Sequence, residues 1–168
     1  NQNPLGSGAL AGTSYNIDRH FTSKALGFKE PTSNSIDSVA DRDYAIEFLF
    51  ASSLCAMHLS RLAEEIIIWN SDLVNLINIE DSMLTGSSMM PQKKNPDSAE
   101  LIRGKTGKIY GNLNSLLITM KGLPLSYFKD MQEDKAGVFD TFDTLSINLK
   151  LACQIIKGIK PNKDNMYK

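Results

Sequence analysis

The sequence predicts an all-α fold, a long-helix bundle built on three helices. Three extended runs repeat apolar residues at steps of three and four, the period of a helix with one buried face. No run alternates polar and apolar residues as a half-buried strand does. Size adds a third observation. A helix of about thirty residues extends about 45 Å at 1.5 Å per residue, too long for a compact monomer of 168 residues, so it calls for similar helices beside it.

Residues 1–34 form a Gly-rich lead-in and a short helix. Gly and other small residues dominate up to Ser14 and let backbone approach another surface closely. Asp18 to Leu26 reads as the short helix, ended by Gly27, with Arg19, His20 and Lys24 exposed. Residues 35–70 read as the first long helix, marked by Tyr44, Phe48, Ala51, Cys55, Leu59, Leu62, Ile66 and Trp69, with Arg61, Glu64 and Glu65 off that line. Residues 71–95 are a connection ending in a polar loop.

Residues 96–121 are the second long helix, with Leu101, Ile102, Ile109, Leu113, Leu116, Leu117 and Met120 as its apolar positions. Gly104, Gly107 and Gly111 share one face of it. Each costs about 1 kcal/mol relative to Ala, so the stripe predicts close approach of another helix. Gly122 and Pro124 stop the helix, and 122–132 is a polar loop. Residues 133–160 form the third long helix on Val138, Phe142, Leu145, Leu149, Ala152, Ile156 and Ile159, closed by Pro161. Residues 161–168 begin a truncated C-terminal part. With no initiator Met and a loop-like start, the whole reads as a single partial domain, a fragment of something longer.

Composition narrows the function. A formal net charge of −1 argues against a nucleic-acid or membrane-surface partner recruited by bulk charge, and no apolar run is long enough to cross a bilayer. Cys55 and Cys153 lie in apolar helical runs without the spacing of a metal site or redox pair, as reduced packing cysteines of a cytoplasmic protein do.

The loop Gly86-Ser87-Ser88-Met89-Met90-Pro91-Gln92-Lys93-Lys94-Asn95-Pro96 is where the chemistry concentrates. It gathers two hydroxyls, two ammonium groups and a carboxamide. Asn95 occupies the expected N-cap of the second long helix, Pro96 its first position, and Asp97 and Glu100 its first turn. Helix N–H groups there favour an anionic ligand. Composition alone would equally suit a solvated linker; the order of residues points further.

That order resembles the signature of the fumarase and aspartase superfamily, whose members eliminate a group from a succinyl-type substrate to leave fumarate. Tyr127-Phe128-Lys129-Asp130-Met131-Gln132-Glu133-Asp134-Lys135 downstream, Pro4 to Thr13 upstream and Asp41-Arg42-Asp43 are similar to the argininosuccinate lyase and delta crystallin family. The resemblance implies the central helical domain of a homotetramer. It also implies reversible cleavage of argininosuccinate, a small-molecule substrate, into arginine and fumarate, with no metal and no cofactor, in arginine biosynthesis or the urea cycle.

Residue by residue, the resemblance implies Ser87 as the catalytic base, with Lys93 and Asn95 beside the developing aci-carboxylate. Glu100 would orient a histidine from a Thr-His-x-Gln segment that this sequence does not contain. Tyr127, Lys129, Gln132 and Lys135 match substrate-binding positions, and Arg42 a conformationally important arginine. Ser88 and Lys94 read as loop structure and surface charge. Where family members carry Trp-Ser/Thr-x-Glu-Phe, this chain has Trp69-Asn70-Ser71-Asp72-Leu73. Family sites gather segments from three subunits, so the chain alone is expected to be inactive, with residues 85–95 mobile in the absence of ligand. Two alternatives stand beside this reading: a non-catalytic crystallin-like structural member, and another fumarate-releasing lyase of the adenylosuccinate lyase or fumarase type.

Overall fold

The computed structural model describes residues 1–90 and 92–167. Pro91 of the signature and Lys168 of the expected final segment lie outside them. The lead-in opens with β1 (Gln2–Asn3), which pairs in parallel with β2 (Glu30–Pro31) across α1 (Arg19–Ala25). Asp18 caps α1 by accepting the Phe21 N–H, and Gly27, at φ +78°, turns the chain out of it.

Arg19 departs from its expected exposure. Its guanidinium donates to the Leu5 and Thr32 carbonyls and to the Ser7 and Thr32 hydroxyls at 3.0–3.1 Å. A loop of glycines offers few side chains of its own, and a planar fork of donors suits its free carbonyls.

The first long run is two helices, α2 (Ser35–Ala40) and α3 (Asp43–Asn70), rather than one. Asn34 caps α2 through the Ile36 and Asp37 N–H groups. Asp41 then turns extended at ψ 131°, and its carboxylate accepts the Asp43 N–H at 2.7 Å to start α3 afresh. Short aspartate side chains compete with the helical ladder in this way, which apolar spacing does not register.

The connection after α3 holds β3 (Ile77–Asn78), a 3-10 turn over Asp81–Met83, β4 (Thr85–Gly86) and β5 (Lys94–Asn95), the last two forming an antiparallel hairpin. α4 (Asp97–Met120) follows. A 3-10 turn over Lys129–Glu133 then leads into α5 (Asp134–Gly158), β6 (Lys160–Pro161) and the short α6 (Lys163–Met166). β6 returns antiparallel to β3. No described helix is long and apolar enough to cross a membrane.

α3, α4 and α5 pack up-down-up. At one end Ala63 and Ile66 of α3 meet Ala99 and Ile102 of α4 and Ala152 and Ile155 of α5. At the other, Ala45 and Leu49 meet Leu116, with Val138 against them. Leu49 and Ile109 are fully buried, each contributing about 1.5–3 kcal/mol of transfer free energy. Polar links join the layers. Thr106 donates to the Ala56 carbonyl at 3.2 Å, and Asn112 donates to Asp140 and Thr141. Lys108 and Asn112 hold the Asp140 carboxyl below its usual range by hydrogen bonding.

The buried face of α3 runs through small residues, Ala45, Ser52, Ser53, Ala56 and Ala63, whereas the predicted markers Tyr44 and Ala51 are exposed. Likewise α5 buries Thr141, Thr144 and Asn148 and leaves Phe142, Leu149 and Ile156 outside. The apolar arc of each helix is wider than three helices can cover, and the small residues sit where the helices come closest. The glycine stripe lies outside that contact. A methyl group added at Gly104, Gly107 or Gly111 would meet nothing within 4 Å, so no described helix makes the predicted close approach there.

Candidate functional site

The signature loop is a hairpin fixed at its base and folded over at its tip. Thr85 pairs with Asn95 and Gly86 with Lys94 in the ladder, and the Thr85 hydroxyl donates to the Asp97 carboxylate in the first turn of α4. Beyond the ladder the Ser87 N–H reaches the Lys93 carbonyl at 3.2 Å, and the Lys93 N–H reaches that of Met90 at 2.9 Å. Ser87 Oγ accepts the backbone N–H groups of Met89 and Met90, at 3.3 and 3.2 Å. These two local bonds hold the Ser87 side chain in one orientation against its own turn. Ser88 is exposed.

One expectation shifts by a residue. Asn95 is committed to the hairpin ladder, so the N-cap of α4 is Pro96, whose carbonyl accepts the Ala99 and Glu100 N–H groups at 2.9 and 3.1 Å. A ladder residue is already extended, and proline's fixed φ starts the helix immediately after it.

A cavity of about 640 Å³ opens between this hairpin and the end of α3. Lys93 and Asn95 line it together with Lys94, Asn70, Asp72 and Asp81. Lys94 pairs with Asp81 at 2.5 Å, while among the described residues the Lys93 ammonium makes no ion pair. Glu100 is exposed, one turn into α4. Among the described residues, Lys93 offers this wet concavity an ammonium without an ion-pair partner and Asn95 a carboxamide, beside the carboxylates of Asp72 and Asp81.

The remaining predicted residues sit at the opposite end of the bundle. Lys129 and Gln132 are exposed on the 3-10 turn before α5, Tyr127 is partly exposed just before it, and Lys135 is in the first turn of α5. Arg42, at the start of α3, donates to Asp134 at 2.5 Å and to the Asp41 carbonyl at 2.8 Å. Asp134 also accepts from Lys135 at 3.2 Å. This buried carboxylate therefore fixes the start of α5 against the start of α3.

The structure thus places Ser87, Lys93 and Asn95 on one hairpin, with Glu100 exposed one turn into the helix that follows; among the described residues, Lys93 and Asn95 line the cavity and Ser87 and Glu100 do not. Tyr127, Lys129, Gln132, Lys135 and Arg42 are set apart from them. The length of α4 separates the two groups, about 36 Å for its 24 residues. The fixing contacts of Thr85, Asp81, Asp97 and Asp134 were not legible in the sequence. Their partners are 12 to 92 residues away, except for the Asp134 and Lys135 pair, so local spacing carries no sign of them.

A profile of the family described as Lyase matches residues 1–111. An argininosuccinate lyase of Pelagibacter ubique is 59% identical over 165 residues, which are 98% of this chain and 36% of that protein. One of Ehrlichia canis is 60% identical over 168 residues, the whole of this chain and again 36% of the relative. The chain therefore spans little more than a third of the length of the curated relatives it matches. Among solved structures, an EDDS lyase in complex with formate superposes with a TM-score of 0.86 at 32% identity, over 98% of this chain and 33% of that one. An EDDS lyase variant with bound fumarate gives 0.80 at 30% identity, over the same shares. A class II fumarase from Schistosoma mansoni gives 0.82 at 19% identity, over 99% of this chain and 40% of its own, a likeness of fold alone.

Proposed function

The chain belongs to the lyase family, with argininosuccinate lyases among its relatives, and from that premise we propose that the protein carrying it cleaves argininosuccinate into arginine and fumarate. A base takes the proton from the carbon next to a substrate carboxylate. The electron pair left behind moves onto that carboxylate and then forms the double bond of fumarate as the C–N bond breaks. The nitrogen leaves with the electron pair of the broken C–N bond, takes a proton and becomes part of arginine. Each step conserves atoms and electrons.

The observation that carries this reading is the hairpin. Ser87 Oγ receives two backbone N–H groups and is the base; Lys93 and Asn95, on the cavity wall, hold the aci-carboxylate. Fixed donors aimed at charge that develops in the transition state give the largest stabilisation available to such a step. Glu100 orients the acid–base partner, the hairpin closes over bound substrate, and Tyr127, Lys129, Gln132 and Lys135 bind the substrate.

The two groups of residues lie at opposite ends of the bundle, so each site draws them from different copies. A homotetramer satisfies this. Its support is the apolar surface that one chain leaves open, including Phe50, Leu54, Ile118 and Phe139, together with the open glycine stripe. Arginine biosynthesis or the urea cycle in the cytoplasm is the setting that goes with the reaction. A crystallin-like structural role has no specific observation in its favour.

The test is to supply the purified full-length protein with argininosuccinate, adenylosuccinate and malate in parallel. Appearance of fumarate absorbance reads all three, since dehydration of malate also yields fumarate. Turnover of argininosuccinate alone is expected. Turnover of malate or adenylosuccinate in its place overturns the assignment.

A further inference from the structure

Two adjacent lysines stand at the end of the hairpin, and among the described residues only one of them is paired. Lys94 Nζ reaches Asp81 Oδ1 at 2.5 Å, from β5 back to the 3-10 turn before β4. That turn is held by its own backbone, the Met83 N–H to the Glu80 carbonyl at 2.8 Å and the Leu84 N–H to the Asp81 carbonyl at 3.2 Å, so Asp81 has a fixed place. The pair is wet, with 51% of the Lys94 side chain and 76% of the Asp81 side chain exposed. Such a pair contributes little to folding stability, so its effect is on where the ammonium sits. Both lysines border the same cavity.

We propose that Asp81 is a positioning residue that assigns the substrate-carboxylate contact to Lys93 by holding Lys94 away from it, an inference that rests on the lyase reading of this cavity. With Asp81 in place the cavity presents, among the described residues, one free ammonium. A second would hold the same carboxylate in competing poses, strengthening ground-state binding without matching the transition state. Asp81 thereby sets the ratio between affinity and turnover.

The test uses the full-length assembled protein, with fumarate as the binding probe and argininosuccinate cleavage as the turnover assay. A unit charge at the wall of a solvated site changes anion affinity about threefold. Asp81→Asn is expected to bind fumarate about two- to fourfold tighter and to lower kcat and KM for argininosuccinate together. The double variant Asp81→Asn with Lys94→Gln is expected to return fumarate affinity to the parent value, and Asp81→Glu to keep the parent kcat and KM.

Unchanged or weaker fumarate binding in Asp81→Asn overturns the proposal, as does a double variant that behaves like the single one. A purely structural role for the pair would raise KM instead of lowering it. If the parent binds fumarate but does not cleave argininosuccinate, the substrate assignment fails, while the fumarate measurements still decide the role of Asp81. A parent that binds no fumarate overturns both.

Discussion

Replacing Asp134 with Asn should cost about 2–3 kcal/mol of folding stability. The carboxylate side chain is 7% exposed and that of its partner Arg42 is 12% exposed, so the pair is almost entirely out of water. Removing one member of a buried pair leaves the other uncompensated, at about 3–5 kcal/mol. Here the guanidinium keeps its bonds to the Asp41 carbonyl at 2.8 Å and the Val39 carbonyl at 3.4 Å, which offset about 1–2 kcal/mol of that. Lys135, also bonded to Asp134, has its side chain 62% exposed and adds little. Urea unfolding followed by far-UV circular dichroism measures the change, with Arg42→Gln and the double variant completing a cycle. A coupling energy above about 1 kcal/mol is expected. A cost for Asp134→Asn below about 1 kcal/mol, or one unchanged in the Arg42→Gln background, would refute the idea that this pair ties α5 to α3.

Three further outcomes are expected. At Gly8, φ is +68° and an added Cβ would stand 2.2 Å from the Gly12 carbonyl oxygen, so Gly8→Ala should cost on the order of 2 kcal/mol and open residues 5–15 to limited proteolysis. Ser87→Ala in the full-length protein should depress kcat by about a hundredfold or more with fumarate binding nearly unchanged; an equal loss in Ser88→Ala would remove Ser87 from the role of base. Because the Asp140 pKa is lowered by Lys108 and Asn112, its stabilisation is complete above the ordinary carboxylate range, near pH 4, and is lost as pH falls through its lower folded value. Acid titration of Asp140→Asn should therefore show a shallower loss of stability below about pH 4 than the parent.

The helices were legible because long apolar periodicity survives any local detail. α4 and α5 begin and end within two residues of their expected limits. The break at Asp41 was not legible, because one aspartate side chain capping the next helix leaves apolar spacing undisturbed. The faces were misread for a different reason. Large apolar residues such as Tyr44, Phe142 and Ile156 mark surface that this chain alone does not cover, whereas Ser52, Thr141 and Asn148 fill the closest helix contacts. In the candidate site, residue order pointed to the hairpin that carries Ser87 and Lys93. Its side-chain fixings, Thr85 to Asp97 and Lys94 to Asp81, appear only once the hairpin brings the two flanks together.

Ser87 and Lys129 lie at opposite ends of one bundle, so the proposal that both serve one site makes a direct demand on assembly. Two full-length variants, Ser87→Ala and Lys129→Ala, each nearly inactive, would be denatured together and refolded as a mixture. If each site takes Ser87 from one copy and Lys129 from another, about a quarter of the sites in randomly mixed assemblies carry both native residues, and activity on argininosuccinate should return toward about a quarter of the parent value. A mixture no more active than the separate variants would place both residues in one chain's site and contradict the shared arrangement.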